Sequence, residues 1–549
     1  MPYVTSGSTP AKNEWFPRIC LGIAKNNSKK EKKIMNFMQS LNEELNNATQ
    51  RTENGAVGYR TTGKKLLDLN FSITSLRNKT DIEIANKFID AFYEDKMLAM
   101  KWLFFCRDRE AIGERRTFRV IMKYLAENNQ DVIQAVLELV PEYGRWDDLW
   151  CLLDTDLKDN IISIVKKQLN EDAKNMMENK NISLLPKWMP SINTSSKETK
   201  RLANIICIGL GMTQRQYRKM LSKFRKHLDV VEVHMSAKEW NSIKYEAVPS
   251  RANLIYNSAF LRNDEERRRE YLAKLEKGET KINASVLFPH DIVHKYMEGN
   301  GWRNSLKSTV DTTFEELWKA LPDFVKGSGN TICVSDGSGS MTARVGNTNV
   351  TALEVANALA IYFAERSSGQ FKDKYITFSH NPKLVDFRKA KNLREKIQIA
   401  LSHNEVANTN IEAVFDLILK TAVNNKMTQE DLPKNILILS DMEFDSCVTT
   451  NSYDSWSTRR PNKTLFDSFA QKYAEHGYKL PRLVFWNICS RTGTIPVKEN
   501  DLGVALVSGF SPAIVKMVLS NSTDPFECLL EQLNDKRYDA VEEKVKMVI

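Results

Sequence analysis

The stretch TICVSDGSGSM, residues 331–341, joins a short apolar run directly to a turn rich in glycine and serine. A hard divalent cation requires several oxygen ligands that converge from one tight turn. Asp336, Ser338 and Ser340 supply a carboxylate and two hydroxyls there, and the glycines between them permit the tight backbone. The stretch therefore predicts a strand that ends in a cation site.

Two other functions suit a glycine-rich turn between a strand and a helix. A phosphate-binding loop has the pattern GxxxxGK[ST], and no lysine follows the glycines here. A purely structural turn is the other alternative, because serine and glycine are common turn residues. The Asp-x-Ser-x-Ser spacing favours the cation site over both.

Short apolar runs alternate with amphipathic stretches from about residue 328 onward. This alternation, with nearly continuous apolar strands, is typical of a doubly wound and mostly parallel sheet. Ligands of such sheets bind at the carboxyl ends of the strands. The predicted strands are Thr331–Ser335, Tyr375–Ser379, Ile436–Ser440, Leu483–Cys489 and Val504–Ser508, and the predicted helices are Ala352–Glu365, Ile411–Val423, Leu465–Glu475 and Pro512–Leu519.

The residues before this sheet have a helical pattern. Thr80-Asp-Ile-Glu83 has the form of a capping box, and apolar residues follow it at spacings of three and four. Further helices are predicted over Phe118–Glu127 and Val132–Leu139. Such helices with short turns predict a HEAT-like solenoid, and we expect three parts: a polar arm and first helix at 1–60, a helical domain at 61–326 and the α/β domain at 327–549.

The charge of the chain is concentrated in its helical part. Residues 1–326 contain 53 Lys and Arg against 43 Asp and Glu, whereas residues 327–549 contain 26 of each. A basic domain beside a neutral one indicates a polyanionic partner for the first. The clearest basic feature is a stripe on one predicted helix face, and no acidic residue occurs between Arg215 and Leu228. The stripe consists of Arg215, Arg218, Lys219, Lys223 and Lys226.

Two more constellations carry alternative explanations. Arg115, Arg116 and Arg119 form a second basic cluster, but the acids at 108, 110 and 114 favour pairing along the chain over phosphate binding. His290-Asp-Ile-Val-His294 is similar to the HExxH of zinc proteases, with an aspartate in place of the general base. A packing role at a helix start explains that segment better than zinc catalysis.

The composition indicates the cellular compartment in which the protein is expected to function. The eight cysteines never occur in CxxC spacing, which indicates reduced thiols and a cytoplasmic protein. No apolar run has the length of a membrane helix, and no apolar segment follows a basic start at the N-terminus. We therefore expect neither a membrane span nor a signal peptide.

The Asp336-x-Ser338-x-Ser340 turn resembles the metal-ion-dependent adhesion site of von Willebrand factor A (vWA) domains. That resemblance implies a threonine from a later loop and an aspartate after a later strand, and Thr409 and Asp441 stand in those places. The implied ligands of Mg²⁺ or Mn²⁺ are thus Asp336, Ser338, Ser340, Thr409 and Asp441. The resemblance also implies an acidic protein partner whose carboxylate completes the coordination.

A wider set of segments resembles an uncharacterised vWA-containing family related to the Ro, or TROVE, proteins, over about residues 60–549. The segments are GERRTFRVI, PEYGRWDDL, LLPKWMPS, WNSIKYEAVPSRAN, LFPHDIV, DGSGSM, NTNIEAVFDLIL and ILSDMEFD. The resemblance implies a HEAT-like ring that binds small structured or single-stranded RNA in a ribonucleoprotein. We expect such an RNA-binding scaffold and no enzyme; the alternative is a protein-assembly component, bacterial or phage, with a virion or cargo role if phage-encoded.

Overall fold

The apolar runs of the C-terminal half pair into one sheet in the computed structural model, which describes residues 49–298, 305–326, 330–379, 381–404, 410–444, 465–497, 503–515 and 524–549. All five predicted strands are confirmed to within two residues at each end. The described strands are β1 Thr49–Arg51, β2 Val57–Tyr59, β3 Met297–Glu298, β4 Ser305–Leu306, β5 Thr331–Asp336, β6 Lys374–Phe378, β7 Leu384–Asp386, β8 Asn435–Ser440, β9 Arg482–Asn487 and β10 Val504–Ser508.

Six of these strands form the main sheet in the order β10-β9-β8-β5-β6-β7. Its first five strands are parallel neighbours, and β7 pairs antiparallel to β6 at the edge. Every residue of β5 and β10 is buried, as expected for strands that helices cover on both faces. The sheet is therefore mostly parallel, as predicted, and it carries one antiparallel edge strand, β7, that was not predicted because it has only three residues.

The helices account for most of the remaining described residues. They are α1 Lys65–Phe71, α2 Ile73–Leu76, α3 Asp81–Glu94, α4 Lys96–Arg107, α5 Arg116–Asn128, α6 Gln130–Val136, α7 Val140–Tyr143, α8 Lys158–Met177, α9 Leu185–Trp188, α10 Lys197–Gly209, α11 Gln214–His227, α12 Val231–Ala237, α13 Ser250–Asn263, α14 Glu265–Glu276, α15 Pro289–Tyr296, α16 Thr312–Lys319, α17 Ala352–Arg366, α18 Leu393–Ser402, α19 Ile411–Asn424, α20 Leu465–Glu475, α21 Pro525–Leu533 and α22 Asp539–Val545. This arrangement confirms a helical part combined with an α/β part.

Local signals explain where several helices begin. The Thr80 hydroxyl accepts from the Glu83 amide, and the Glu83 carboxylate accepts from the Thr80 amide, so the predicted capping box is confirmed. Of the predicted helix Pro512–Leu519, the structure describes a 3-10 turn over Pro512–Ile514, and residues 516–519 lie outside the described part. Within the described ranges, no helix combines the length and the apolar character that crossing a bilayer requires.

The first described residues form a hairpin that docks on the sheet. The Thr52 hydroxyl donates to the Phe444 carbonyl at 2.5 Å, and the Tyr59 amide donates to the Ile495 carbonyl at 2.7 Å. No strand is predicted for this segment, which lies inside the range 1–60 assigned to an arm and a first helix. The predicted helix near residues 34–46 lies outside the described residues.

The last two helices pack against the first ones. Arg537 Nη2 donates to Asp108 Oδ1 at 2.8 Å, the Tyr538 hydroxyl donates to Asp108 Oδ2 at 3.0 Å, and Lys101 pairs with Glu542. Asp108 is fully buried. These contacts join residues on the two sides of position 326, and Thr49–Ile549 form one compact unit.

His290, at the start of α15, is buried between the rings of Phe288 and Phe510. Its Nδ1 has no hydrogen-bond partner. Burial lowers the pKa of His290 to about 4, against its usual 6.5; Asp291 and Glu354 raise the pKa, and Arg77 and Arg251 lower it further. The imidazole is therefore neutral in the folded protein at neutral pH.

Replacing Arg537 with leucine is expected to destabilise the protein by about 3 kcal/mol, because it leaves the buried Asp108 carboxylate without its charge partner. The measurement is the urea midpoint of unfolding. Arg388→Leu is the matched control, since it breaks an exposed pair with Asp386 (Nη2–Oδ2 2.5 Å) and should shift the midpoint far less. Equal shifts for the two variants would contradict a structural role for the Asp108 pair.

The stability of the protein should depend on pH through His290. The folded pKa lies below the unfolded one, so neutral His290 stabilises the fold fully above about pH 6.5, and this contribution is lost as pH falls toward 4. It amounts to about 3 kcal/mol. Urea midpoints between pH 4 and 7 should fall less steeply for His290→Phe than for the parent and the exposed control His476→Gln. Parallel curves for all three proteins would show that His290 is protonated normally.

Candidate functional site

Two aspartates end neighbouring strands of the sheet. Asp336 is the last residue of β5 and Asp441 follows β8, and these strands are parallel, with Ser335 paired to Leu439. The carboxyl ends of adjacent parallel strands meet at one edge, so both carboxylates lie side by side there. Asp336 and Asp441 are both buried.

Serine hydroxyls surround these carboxylates. Asp336 Oδ1 accepts from the Ser338 amide at 2.9 Å, and Asp336 Oδ2 accepts from the Ser440 hydroxyl at 2.7 Å. The hydroxyls of Ser338 and Ser340 are 2.9 Å apart, and Ser340 also hydrogen-bonds Asp441. The structure thus brings together Asp336, Ser338, Ser340 and Asp441, while the fifth predicted ligand, Thr409, lies outside the described residues.

The four residues that the structure brings together include two acids and no basic residue. Burial raises the pKa of Asp336 and the neighbouring carboxylate of Asp441 raises it further; burial also raises the pKa of Asp441. No group of three or more His, Cys, Asp or Glu side chains is placed to hold a metal in the described ranges. A cation at this site would rely on two carboxylates and on hydroxyl oxygens, which suits Mg²⁺ or Mn²⁺ and not zinc.

The side chain of Arg491, which no sequence pattern indicates, reaches the site. Arg491 Nη2 lies 3.5 Å from Asp441 Oδ2 and 2.5 Å from Glu53 Oε2. Glu53 belongs to the N-terminal hairpin, so the hairpin places a third carboxylate close to the edge where β5 and β8 end. No local sequence signal indicates this contact, because Glu53 and Arg491 are far apart in the chain.

Glu443 fixes the loop that carries Asp441. Its buried carboxylate accepts from the amides of Arg491 and Thr492, both at 2.9 Å, and from the amide of Glu53 at 2.9 Å. Two distant segments, the hairpin and the loop after β9, therefore meet at one side chain two residues after Asp441. The acidic spacing in ILSDMEFD is the sequence signal that could have indicated Glu443.

The predicted basic stripe lies on α11. A capping box formed by Thr213 and Gln216 begins this helix, and its apolar face packs inward with Tyr217, Leu221 and Phe224 buried. The five cations of the stripe are exposed, and in the described part of the chain none of their side chains makes a hydrogen bond or an ion pair: Arg215, Arg218, Lys219, Lys223 and Lys226.

The two basic residues beside the stripe have structural partners. Arg225 donates to the carbonyls of Pro186 and Met189 and to the Ser191 hydroxyl at 2.7–2.9 Å. His227 Nε2 lies 2.8 Å from the Lys180 carbonyl. The helix thus separates cations that hold α9 in place from cations that face solvent.

The second basic cluster is paired, but not with the acids expected. Arg116 pairs with Asp81, and Arg119 pairs with Asp147 and Asp148. The preference for pairing is therefore confirmed for these two arginines, and the predicted partners at 108, 110 and 114 are wrong for their side chains. Those acids contact other arginines instead, because helix packing brings residues from distant segments closer than chain neighbours.

The HDIVH segment has the packing role that was favoured. His290 lies among aromatic rings, and His294 Nδ1 is 2.9 Å from Glu354 Oε2 on α17. Asp291 Oδ2 accepts from the Phe288 amide at 3.0 Å and so caps α15. His290 thus packs against rings while His294 and Asp291 have separate polar partners, and among the described residues no three His, Cys, Asp or Glu side chains are placed to hold a metal.

Comparisons with known proteins assign matches to both halves of the chain. Residues 330–548 match the family described as "Domain of unknown function (DUF7788)", and residues 155–331 match "Domain of unknown function (DUF2828)". A solved structure, the "Crystal structure of Deinococcus radiodurans RO (RSR) protein", aligns over 87% of this chain and 93% of that chain, with a TM-score of 0.32 and 12% identity.

A viral protein is similar over nearly the whole length. It is the "Uncharacterized protein L728" of Acanthamoeba polyphaga mimivirus, which is 30% identical over an alignment 523 residues long that covers 88% of this chain and 86% of the viral protein. The similarity therefore includes both the helical part and the sheet. The chain belongs to the family of this mimivirus protein.

Proposed function

We propose that the chain is an RNA-binding scaffold whose sheet recruits an acidic protein partner through a bound divalent cation. The helical part, residues 61–326, holds the RNA, and residues 327–549 form a vWA domain with the metal site. In this proposal the helices form a HEAT-like array related to that of TROVE proteins. The role is binding and not catalysis.

The observation that carries the RNA part is the exposed stripe on α11. Five like charges on one helix face repel each other, and in the described residues no acid offsets them. From Arg215 to Lys226 the stripe extends over roughly 16 Å, which is long enough to contact several phosphates of a single strand. Release of counterions from the RNA is then the main source of affinity.

The metal part rests on the pair of buried carboxylates. Two adjacent carboxylates in a buried site repel each other and have lost their hydration. A divalent cation between them would offset both the repulsion and the lost hydration. Asp336, Ser338, Ser340 and Asp441 would hold Mg²⁺ or Mn²⁺ together with Thr409. The bound cation would supply a coordination position for a carboxylate of the partner.

Arg491 would assist that recruitment. Its side chain is 41% exposed and lies beside Asp441, and an acidic partner that displaces Glu53 from it would contact a positive charge next to the position of the cation. An acidic segment of a partner could then contact both positive groups. The affinity for the cation alone should be weak, because only two of its ligands are charged.

Asp441→Asn and Asp336→Asn are each expected to weaken binding of Mn²⁺ by at least tenfold, since each removes one of two charged ligands. Titration calorimetry with MnCl₂ on the full chain measures this. Asp386→Asn is the matched control: it removes a carboxylate of the same sheet that pairs with Arg388 outside the site. Unchanged affinity in both site variants would remove the metal assignment.

Replacing Arg218, Lys219 and Lys223 with glutamine should weaken binding of single-stranded RNA uniformly across sequences. The slope of log affinity against log salt should flatten by about 0.7 for each phosphate that the variant no longer neutralises. Fluorescence anisotropy at several salt concentrations provides the readout.

The matched control for this experiment is a triple glutamine variant of Lys372, Lys389 and Lys420, which are exposed lysines of the sheet part. It removes the same net charge, so a general charge effect would weaken binding in both proteins. If the stripe variant binds RNA as the parent does at every salt concentration, the stripe is only a solvated surface. The assembly role without RNA would then be the better explanation.

A further inference from the structure

Four arginines from three segments gather beside the N-terminus of α5. We call Arg107, Arg115, Arg119 and Arg145 the arginine cluster. Arg107 ends α4 and Arg145 lies in the loop before the 3-10 turn Trp146–Leu152. Arg115 precedes α5 and Arg119 lies in its first turn, which carries no acidic residue.

Two aspartates are the only acids that pair with this cluster in the described part of the chain. Asp148 is fully buried and accepts from Arg107 Nη2 at 2.6 Å and from Arg119 Nε at 2.7 Å. Asp147 pairs with Arg119 at 2.9 Å and with Arg145 at 3.0 Å. The four guanidinium groups thus exceed their carboxylate partners by two positive charges.

Arg115 carries much of this excess. It is exposed, and no hydrogen bond or ion pair involves its side chain among the described residues. Desolvation lowers the pKa of Arg115, and the charge of Arg119 lowers it further. Desolvation and then Arg115 lower the pKa of Arg145 to about 10. The arginines therefore lie close enough to destabilise one another's charge.

Packing fixes Arg145 in this position. Its guanidinium carbon lies 4.0 Å from the centroid of the Trp188 ring, which holds the plane of the group. Arg145 Nη2 donates to Asp147 Oδ2 at 3.1 Å, whereas Arg145 Nε, 3.0 Å from Asp147 Oδ1, is buried without a hydrogen bond, and no ion pair or hydrogen bond in the described residues involves Arg145 Nη1. A Cβ at Gly144 would come within 2.5 Å of Asp148 Oδ2, so glycine permits this close approach. The cluster keeps donor capacity that its own acids do not use.

We propose that the arginine cluster is a binding site for a phosphate monoester, with Arg115 and Arg145 as the donors to its oxygens. A phosphomonoester carries a charge of about −1.5 to −2 at neutral pH, which matches the excess of two positive charges. A phosphodiester carries one negative charge and would neutralise only one of the two excess positive charges. Guanidinium groups bind such oxygens through paired N–H donors.

This site is separate from the α11 stripe and does not depend on the proposed RNA function. The short helix α9 lies between them, with Trp188 against Arg145 and with Pro186 bonded to Arg225 of α11. The stripe is a row of exposed charges suited to a chain of diesters, whereas the cluster is half-buried and suited to one dianion. Its ligand is a free nucleotide or the terminal phosphate of a strand.

Binding to the full-length protein at low salt tests the proposal with four probes: AMP, adenosine, and one single-stranded oligonucleotide with either a 5′-phosphate or a 5′-hydroxyl. In at least one of the two pairs, AMP with adenosine or the 5′-phosphorylated with the 5′-hydroxyl strand, the parent should bind the phosphorylated probe at least tenfold more tightly. Arg115→Gln should abolish that preference, and it should leave the fold intact because no described residue pairs with the Arg115 side chain. Arg262→Gln is the matched control, an exposed arginine of α13 without a described partner.

Two further variants sharpen the result. Arg145→Lys keeps the charge but removes the paired donors, so it should reduce the preference for the phosphate several-fold. The triple glutamine variant of the α11 stripe should retain the preference, which separates this site from RNA binding. If only the 5′-phosphorylated strand gains affinity, the ligand is a strand end; if AMP does so equally, it is a nucleotide. The proposal is overturned if the parent protein binds AMP no more tightly than adenosine and also binds the phosphorylated strand no more tightly than the 5′-hydroxyl strand.

Discussion

The parallel pairing of β5 with β8 is the interaction on which the candidate metal site depends. Five residue pairs from Thr331 with Asn435 to Ser335 with Leu439 set one register, and that register alone brings Asp336 beside Asp441. A slip of one residue would turn every side chain to the other face of the sheet. The nearly complete burial of both strands makes such a slip costly, so the hydrophobic core also fixes the spacing of the two carboxylates.

Buried carboxylates that accept hydrogen bonds from distant segments hold the helical part and the hairpin in place. Asp108 joins the loop after α4 to Arg537 near the C-terminus, and Glu443 joins the hairpin to the loop after β9. Each of these acids is buried and collects several donors, which is the condition under which a buried charge is tolerated. The arginine cluster differs from them, because its donors outnumber its acceptors.

The sequence predicts five of the ten described strands and several of the described helices because those depend on local pattern. Runs such as ILILS and boxes such as Thr80 with Glu83 contain the information for their own structure. The strand β7, the hairpin at 49–59 and the partners of Arg116 and Arg119 were not predictable in this way. Each depends on contacts with segments distant in the chain, and the periodicity of the local sequence does not indicate such contacts. For the site, the sequence indicated Asp336 and Asp441 but not Arg491.

The docking of the hairpin has a consequence for how the chain folds during synthesis. Thr52 bonds to the carbonyl of Phe444, which is 392 positions later, and Tyr59 pairs with Ile495. The loop that these contacts close costs entropy that only the finished sheet can offset. Until the ribosome has passed residue 495, the bridge between Tyr59 and Ile495 cannot form, and an edge of the hairpin that lacks this partner can pair with other chains. Folding of this protein is therefore expected to be slow and to benefit from chaperones.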